Sequence, residues 1–313
     1  MQSNNLYNKY SDYLKNKYGE KIYKLPVHIP VTCPNRDGKI SCNGCIFCGD
    51  LGVAYEFEGN REDVVSQIDI MKTKISKRYG AKKFIAYFQS FTNTYLKTEI
   101  AMRYFKDSIQ ENIVGIYIST RPDCISDELL ENLYILKENK GIDIVIELGL
   151  QTVNYKTLKK INRGHSLAEF IDAAVRIHKY NLEICVHMIL DLPWDDIDDA
   201  VEGAKILSAL NIEQVKMHSL YVVKGTKLEN MINAEEIKLC SKNEYIERAI
   251  MFLSYLNPDI VVQRIIGRAP KEVAKANWDS SWWKIKDEIL NEMSNRKIYQ
   301  GSNYDYLDSI IKD

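Results

Sequence analysis

The chain has 313 residues, 45% hydrophobic and 27% charged, the balance of an ordinary water-soluble protein. Lys and Arg total 42 against 43 Asp and Glu, so bulk charge does not imply nucleic acid, and any RNA contact needs a local basic face. No apolar run approaches membrane-spanning length and the first residues lack the apolar core of a secretion signal, so the expected location is the cytoplasm, with no membrane partner.

The order of elements is a repeated strand–helix alternation. Residues 25–32 (LPVHIPVT) read as a first strand leading into a cysteine-rich loop, and a helix fits 61–79, where Val64, Val65, Ile68, Met71 and Ile75 recur at three- and four-residue steps. Strands are expected at 83–89, 114–120, 142–151, 183–192 and 214–222. Helices are expected between them at 97–110, 127–139, 154–161, 167–180 and 196–210, with Ser126 as N-cap of the second of these. Near-continuous apolar strands separated by amphipathic helices predict a parallel sheet covered on its outer face. Six such units give an α/β fold, a partial and open (βα)6 TIM-like barrel. The pattern then changes to helices around 235–256, a short strand at 261–267 and a Trp-rich helix at about 278–296, a helical C-terminal cap. The expected organisation is an N-terminal extension (1–24), a barrel (25–230) and a C-terminal extension packed on it (231–313).

Chemistry enters with Cys33, Cys45 and Cys48, spaced by eleven residues and then two in TCPNRDGKISCNGCIFC. Three thiolates on a four-iron cluster leave one iron free for a non-protein ligand. The alternative is a closed zinc site of Cys33, Cys42, Cys45 and Cys48, although such sites normally pair two separate Cys-x-x-Cys knuckles and one stretch alone is available here. Cys124, Cys185 and Cys240 stand singly and read as buried small hydrophobes.

In parallel α/β sheets ligands gather at the C-terminal strand ends. The second strand delivers Gln89, Ser90, Thr92 and Asn93 there, the third Ser119, Thr120 and Arg121, and the fourth Glu147 and Gln151. The fifth offers His187 and Asp191 and the sixth Lys216 and His218. Each has a bland counterpart: turn bonds for the Gln89–Asn93 stretch, a surface cation for Arg121, satisfied rim histidines for His187 and His218. Glu147 resists one, because an acid between Ile146 and Leu148 in a core-like strand needs a partner.

CPNRDG (33–38), NGCIFC (43–48), AYFQSFTNTY (86–95), STRPDC (119–124), ELGLQT (147–152), NRGHS (162–166), LDLPWD (190–195) and KMHSLYVVKGT (216–226) together resemble the radical S-adenosylmethionine (SAM) superfamily. The resemblance is to a group related to the elongator catalytic subunit. It implies a 4Fe-4S cluster on Cys33, Cys45 and Cys48, chelation of SAM by the open iron, and reductive cleavage to methionine and a 5′-deoxyadenosyl radical. It further implies cofactor contacts from Phe47 beside the adenine, from Gln89, Ser90, Thr92, Asn93, Ser119, Arg121 and His187, from Glu147 and Gln151 near the ribose or sulfonium, and from Arg163 to the methionine carboxylate. Asn43 stands where glycine is usual, and Cys42 adds a fourth thiol, read here as a spectator.

Relatives of this kind act on tRNA, so the resemblance implies conversion of a wobble carboxymethylaminomethyluridine to aminomethyluridine. A flavodoxin- or ferredoxin-type electron donor and tRNA are the implied partners. Lys156, Lys159, Lys160 and Arg163, and separately Lys271, Lys275, Lys284 and Lys286, are candidate phosphate contacts, with solvated helix faces as the plain alternative. Two other readings are a radical enzyme with a small-molecule or protein substrate and a zinc-stabilised, non-enzymatic binding module.

Overall fold

The computed structural model describes residues 5–49, 63–267, 274–276, 278 and 280–307. The apolar runs form one seven-stranded, all-parallel sheet that curls into a half-barrel. In spatial order its strands are β1 (Ile22–Val27), β2 (Lys83–Phe88), β3 (Ile113–Thr120), β4 (Asp143–Gln151), β5 (Glu183–Ile189), β6 (Gln214–His218) and β8 (Val261–Arg264). Crossover helices α2 (Val64–Tyr79), α3 (Thr98–Asp107), α4 (Asp127–Lys140), α5 (Tyr155–Lys160), α6 (Leu167–Lys179) and α7 (Ile197–Ala209) connect the first six. Residues 61 and 62 of the expected first helix lie outside the described residues.

Strand β4 explains the continuous apolar pattern. Ile144, Ile146, Leu148 and Leu150 bury outward against the helices, while Val145, Glu147, Gly149 and Gln151 alternate toward the lumen. Ser126 caps α4 as expected, accepting from the Leu129 amide at 3.2 Å.

Three expectations change. Strand β1 lies earlier than 25–32, because Gln67 of α2 accepts from the His28 amide and donates to its carbonyl, both at 2.8 Å, and so ends the ladder. The sixth strand stops at His218, and the chain turns into β7 (Tyr221–Val223), which pairs antiparallel with β9 (Ala274–Ala276). The strand read as part of the cap is the seventh strand of the main sheet, since β8 pairs parallel with β6. Helices α8 (Lys227–Asn233), α9 (Lys242–Tyr255) and α10 (Trp282–Asn295) make up the helical C-terminal part.

Helix α1 (Tyr10–Tyr18) plugs the N-terminal end of the lumen, where Leu14 packs with Ile22, Ile85, Tyr117, Val145 and Cys185. Burying Leu14 contributes about 2 kcal/mol. No described helix is long and apolar enough to cross a membrane.

Candidate active site

A cavity of about 660 Å³ opens at the C-terminal strand ends and runs down the lumen to Lys24. Cys33, Cys45 and Cys48 line it, whereas Cys42 is exposed and does not. The loop carrying them is pinned from both sides. The Ile46 amide donates to the Ile161 carbonyl (3.0 Å) and the Ile46 carbonyl accepts from Leu228 (2.9 Å). Asn162, in the left-handed region at φ 53°, donates to the Gly44 carbonyl (2.7 Å) and to Ser41 Oγ (3.1 Å), while its own carbonyl accepts from Asn35 (2.6 Å). At the loop's end Gly49 comes so close to β7 that a Cβ would sit 2.6 Å from Val223 Cγ1. An Asn162→Ala protein is expected to lose about 1–2 kcal/mol of stability and, after reconstitution, to hold less iron than the wild type, read by thermal melting and iron assay.

N–H donors face the sulfurs. Arg36 Nη1 is 3.4 Å from Cys48 Sγ, and Arg163 Nη1 and Asn35 Nδ2 are each 3.6 Å from Cys45 Sγ. Burial, with Cys45 nearby, raises the Cys48 thiol against the pull of Arg36.

Arg163 is placed by a bulge. The β4–β5 register shifts between Gly149 and Gln151, and Gln151 takes φ 81°. The freed Gly149 carbonyl accepts from Arg163 Nη2 (2.6 Å) and lies 3.1 Å from His165 Nε2. A Cβ on Gly149 would come within 2.6 Å of Arg163 Nη2, so any side chain there would push the guanidinium off the Gly149 carbonyl. Burial and Arg163 push His165 down to about 3, leaving it neutral.

The lumen below is polar. Glu147 is fully buried, with Lys24 Nζ at 2.7 Å on one oxygen and Lys216 Nζ (2.9 Å) and His187 Nε2 (2.7 Å) on the other. Burial alone would raise this carboxyl; Lys216, Lys24 and His187 outweigh it and hold it well below the ordinary range. Burial lowers Lys24 to about 8, so it stays charged at neutral pH. Burial and Lys216 lower His187 to about 4, and burial and Arg264 take His218 well below its usual value. Although Glu147, Cys185 and His187 bring ligand-type atoms together, two ammonium groups already occupy the carboxylate, which leaves no charge for a metal ion.

Of the expected cofactor contacts, Phe47, Gln89, Thr92, Ser119, Arg121, Glu147, Gln151, Arg163 and His187 line this cavity. Ser90 and Asn93 do not: Ser90 bonds His28 Nδ1 (2.8 Å), and Asn93 donates to the Phe88 and Ser119 carbonyls. Arg121 is no surface cation: it is buried, donates twice to Asp123 (2.8 and 2.7 Å) and once to the Arg163 carbonyl. Arg163 is likewise buried, which removes it from the phosphate contacts, whereas Lys156, Lys159, Lys160 and Lys284 are exposed. Lys271 and the side chain of Lys275 lie outside the described residues. Lys24, Arg36, Tyr87, Gln263 and Arg264 line the cavity without having been singled out; for Lys24 and Arg264 the signal was a charge inside an apolar strand, as at Glu147.

A parallel half-barrel with three cysteines at its mouth and a charged lumen defines an α/β enzyme that works at its C-terminal strand ends. The chain belongs to the radical SAM superfamily, whose profile matches residues 31–207, and the profile of the radical SAM C-terminal domain matches 212–295. Uncharacterized protein MJ0486 of Methanocaldococcus jannaschii is 36% identical over 304 residues, covering 96% of this chain and 92% of that protein. The tRNA uridine(34) acetyltransferase of the same organism is 25% identical over 144 residues, 45% of this chain and 26% of that protein. The fold is shared with an N-terminally truncated Elp3 from Methanocaldococcus infernus, at TM-score 0.68 and 19% identity, over 89% of this chain and 64% of that one. The family implies a 4Fe-4S cluster and SAM. Three thiols on one cavity wall, with cationic N–H groups facing two of the sulfurs and the fourth thiol outside, suit a cluster with an open iron better than closed zinc.

Proposed function

We propose that this radical SAM enzyme modifies the wobble uridine of tRNA, converting its carboxymethylaminomethyl group to aminomethyl. Cys33, Cys45 and Cys48 would hold the cluster, which when bound and reduced supplies the electron for cleaving SAM. Arg36, Arg163 and Asn35 donate toward the sulfurs and would orient them and offset the negative charge of a bound cluster. Phe47, Gln151 and Arg163 line the wall where the cofactor would lie; abstraction of a hydrogen atom from the carboxymethyl CH2, with loss of one further electron to a one-electron acceptor, would leave an imine whose hydrolysis releases glyoxylate and the aminomethyl product.

The observation that carries the RNA part is the rim. Helix α5 exposes Tyr155, Lys156, Lys159 and Lys160 just before Asn162, which pins the cysteine loop. Lys159 Nζ sits 4.4 Å above the Tyr155 ring and Lys160 Nζ 5.2 Å above that of Trp194. An exposed tyrosine and a half-buried tryptophan with adjacent cations suit unpaired bases and their phosphates. The partial alignment with a tRNA uridine(34) acetyltransferase supports the same substrate class.

Charge reversal at Lys156, Lys159 and Lys160 together is expected to weaken tRNA binding at least ~10-fold and flatten its salt dependence, with iron content and SAM cleavage unchanged. The decisive assay is mass analysis of tRNA nucleosides from a deletion strain. Accumulated carboxymethylaminomethyluridine is the expected result; unchanged wobble uridines would remove the tRNA reading. Stoichiometric zinc with no 5′-deoxyadenosine would favour a binding module instead.

A further inference from the structure

The deep end of the lumen carries more positive charge than it balances. Lys24, Lys216 and Arg264 line it, and Glu147 is divided between the two lysines. Among the described residues Arg264 has no carboxylate partner. Its Nη2 donates to His218 Nδ1, and its Nε is buried with no hydrogen-bond partner among the described residues.

The histidines do not relieve the imbalance. Because a guanidinium only donates, His218 Nδ1 must accept, and the His218 proton sits on Nε2. That Nε2–H donates to His187 Nδ1 at 3.2 Å, and His187 Nε2–H donates to Glu147 at 2.7 Å. Arg264, His218, His187 and Glu147 thus form one directed chain across β8, β6, β5 and β4, with both imidazoles neutral. Their depressed basicity agrees with that assignment. Three cations face one carboxylate, and the guanidinium edge left over has two-pronged geometry suited to an incoming carboxylate.

We propose that Arg264, backed by His218 and flanked by Lys216, is the receptor for a carboxylate group of the substrate. This deepens the reading above and rests on it for the carboxylate's identity, the end of the carboxymethyl arm. A backbone phosphate would have to carry two esterified nucleosides down the lumen, whereas a terminal carboxylate arrives on a thin arm. A half-buried guanidinium without a carboxylate partner gains from an incoming anion, so the site favours substrates that supply one over those that lack it.

The test is calorimetry on the reconstituted, SAM-saturated protein with two probes, 5-carboxymethylaminomethyluridine and its methyl ester. The wild type is expected to bind the acid at least ~10-fold more tightly than the ester, Arg264→Gln to bind the two alike, and Arg264→Lys to recover part of the preference. Unaltered iron content and circular dichroism identify a folded variant, and the wild-type comparison of acid with ester needs no variant. A wild type indifferent to the charge, or a folded Arg264→Gln protein that keeps the preference, overturns the site. Acid preference that depends on Arg264, together with unchanged wobble uridines in the deletion strain, keeps the carboxylate site and removes the tRNA assignment alone.

Discussion

Cys45→Ser is expected to take iron content and 5′-deoxyadenosine formation to background after anaerobic reconstitution, and Cys33→Ser and Cys48→Ser to do the same. The argument is one of valence: a cluster held at three points has no spare protein ligand, so losing one thiolate loses the assembly. Cys42→Ser should retain both signals, because its side chain is exposed and lies off the cavity that the other three share. Loss of cluster and cleavage in Cys42→Ser would show instead that the fourth thiol completes the site. Parallel iron, acid-labile sulfide and zinc determinations separate the two results.

Glu147→Ala is expected to be the most destabilising single change in the lumen, by about 3–5 kcal/mol, because it strands two buried ammonium groups. Adding Lys24→Met to Glu147→Ala should recover part of that loss, since one of the two unpaired charges is then gone; additive losses in a double-mutant cycle would refute the coupling. The pH dependence has a definite sign. Glu147 is held well below its ordinary 4.5, so its contribution is complete above that pH and fades as acid protonates it in the folded state. His187 sits at about 4 against 6.5 in the unfolded chain, so the unfolded state binds more protons between those values. His187 therefore lowers the melting temperature as pH falls from about 6.5 to about 4, Glu147 lowers it further below about 4.5, and Glu147→Gln should flatten the limb below about 4.5.

The alternating pattern, the cysteine spacing and the isolated acid at Glu147 were legible because each departs from its surroundings on a length scale of a few residues. Strand β8 was recognised as a strand but misplaced, since its pairing with β6 joins segments separated by two helices, and local periodicity carries no register. Ser90 and Asn93 show why such residues are ambiguous in sequence: a polar side chain at a strand end can serve a ligand or its neighbours, and here Ser90 bonds the His28 imidazole while Asn93 donates to the Phe88 and Ser119 carbonyls. Lys24 and Arg264 carried the same signal as Glu147, but they lie in stretches assigned to the extensions rather than to the sheet.

The half-barrel leaves two edge strands, β1 and β8, and the chain fastens them to each other rather than leaving them bare. Lys24 of β1 reaches Gln263 of β8 at 2.8 Å, and the Val262 amide of β8 donates to the Asn8 carbonyl, also at 2.8 Å, just ahead of α1. Segments from opposite ends of the polypeptide thus close one seam. The charged interior lies behind this seam, so its closure depends on the docking of the segment before α1 and of β8 as well as on the barrel strands between them.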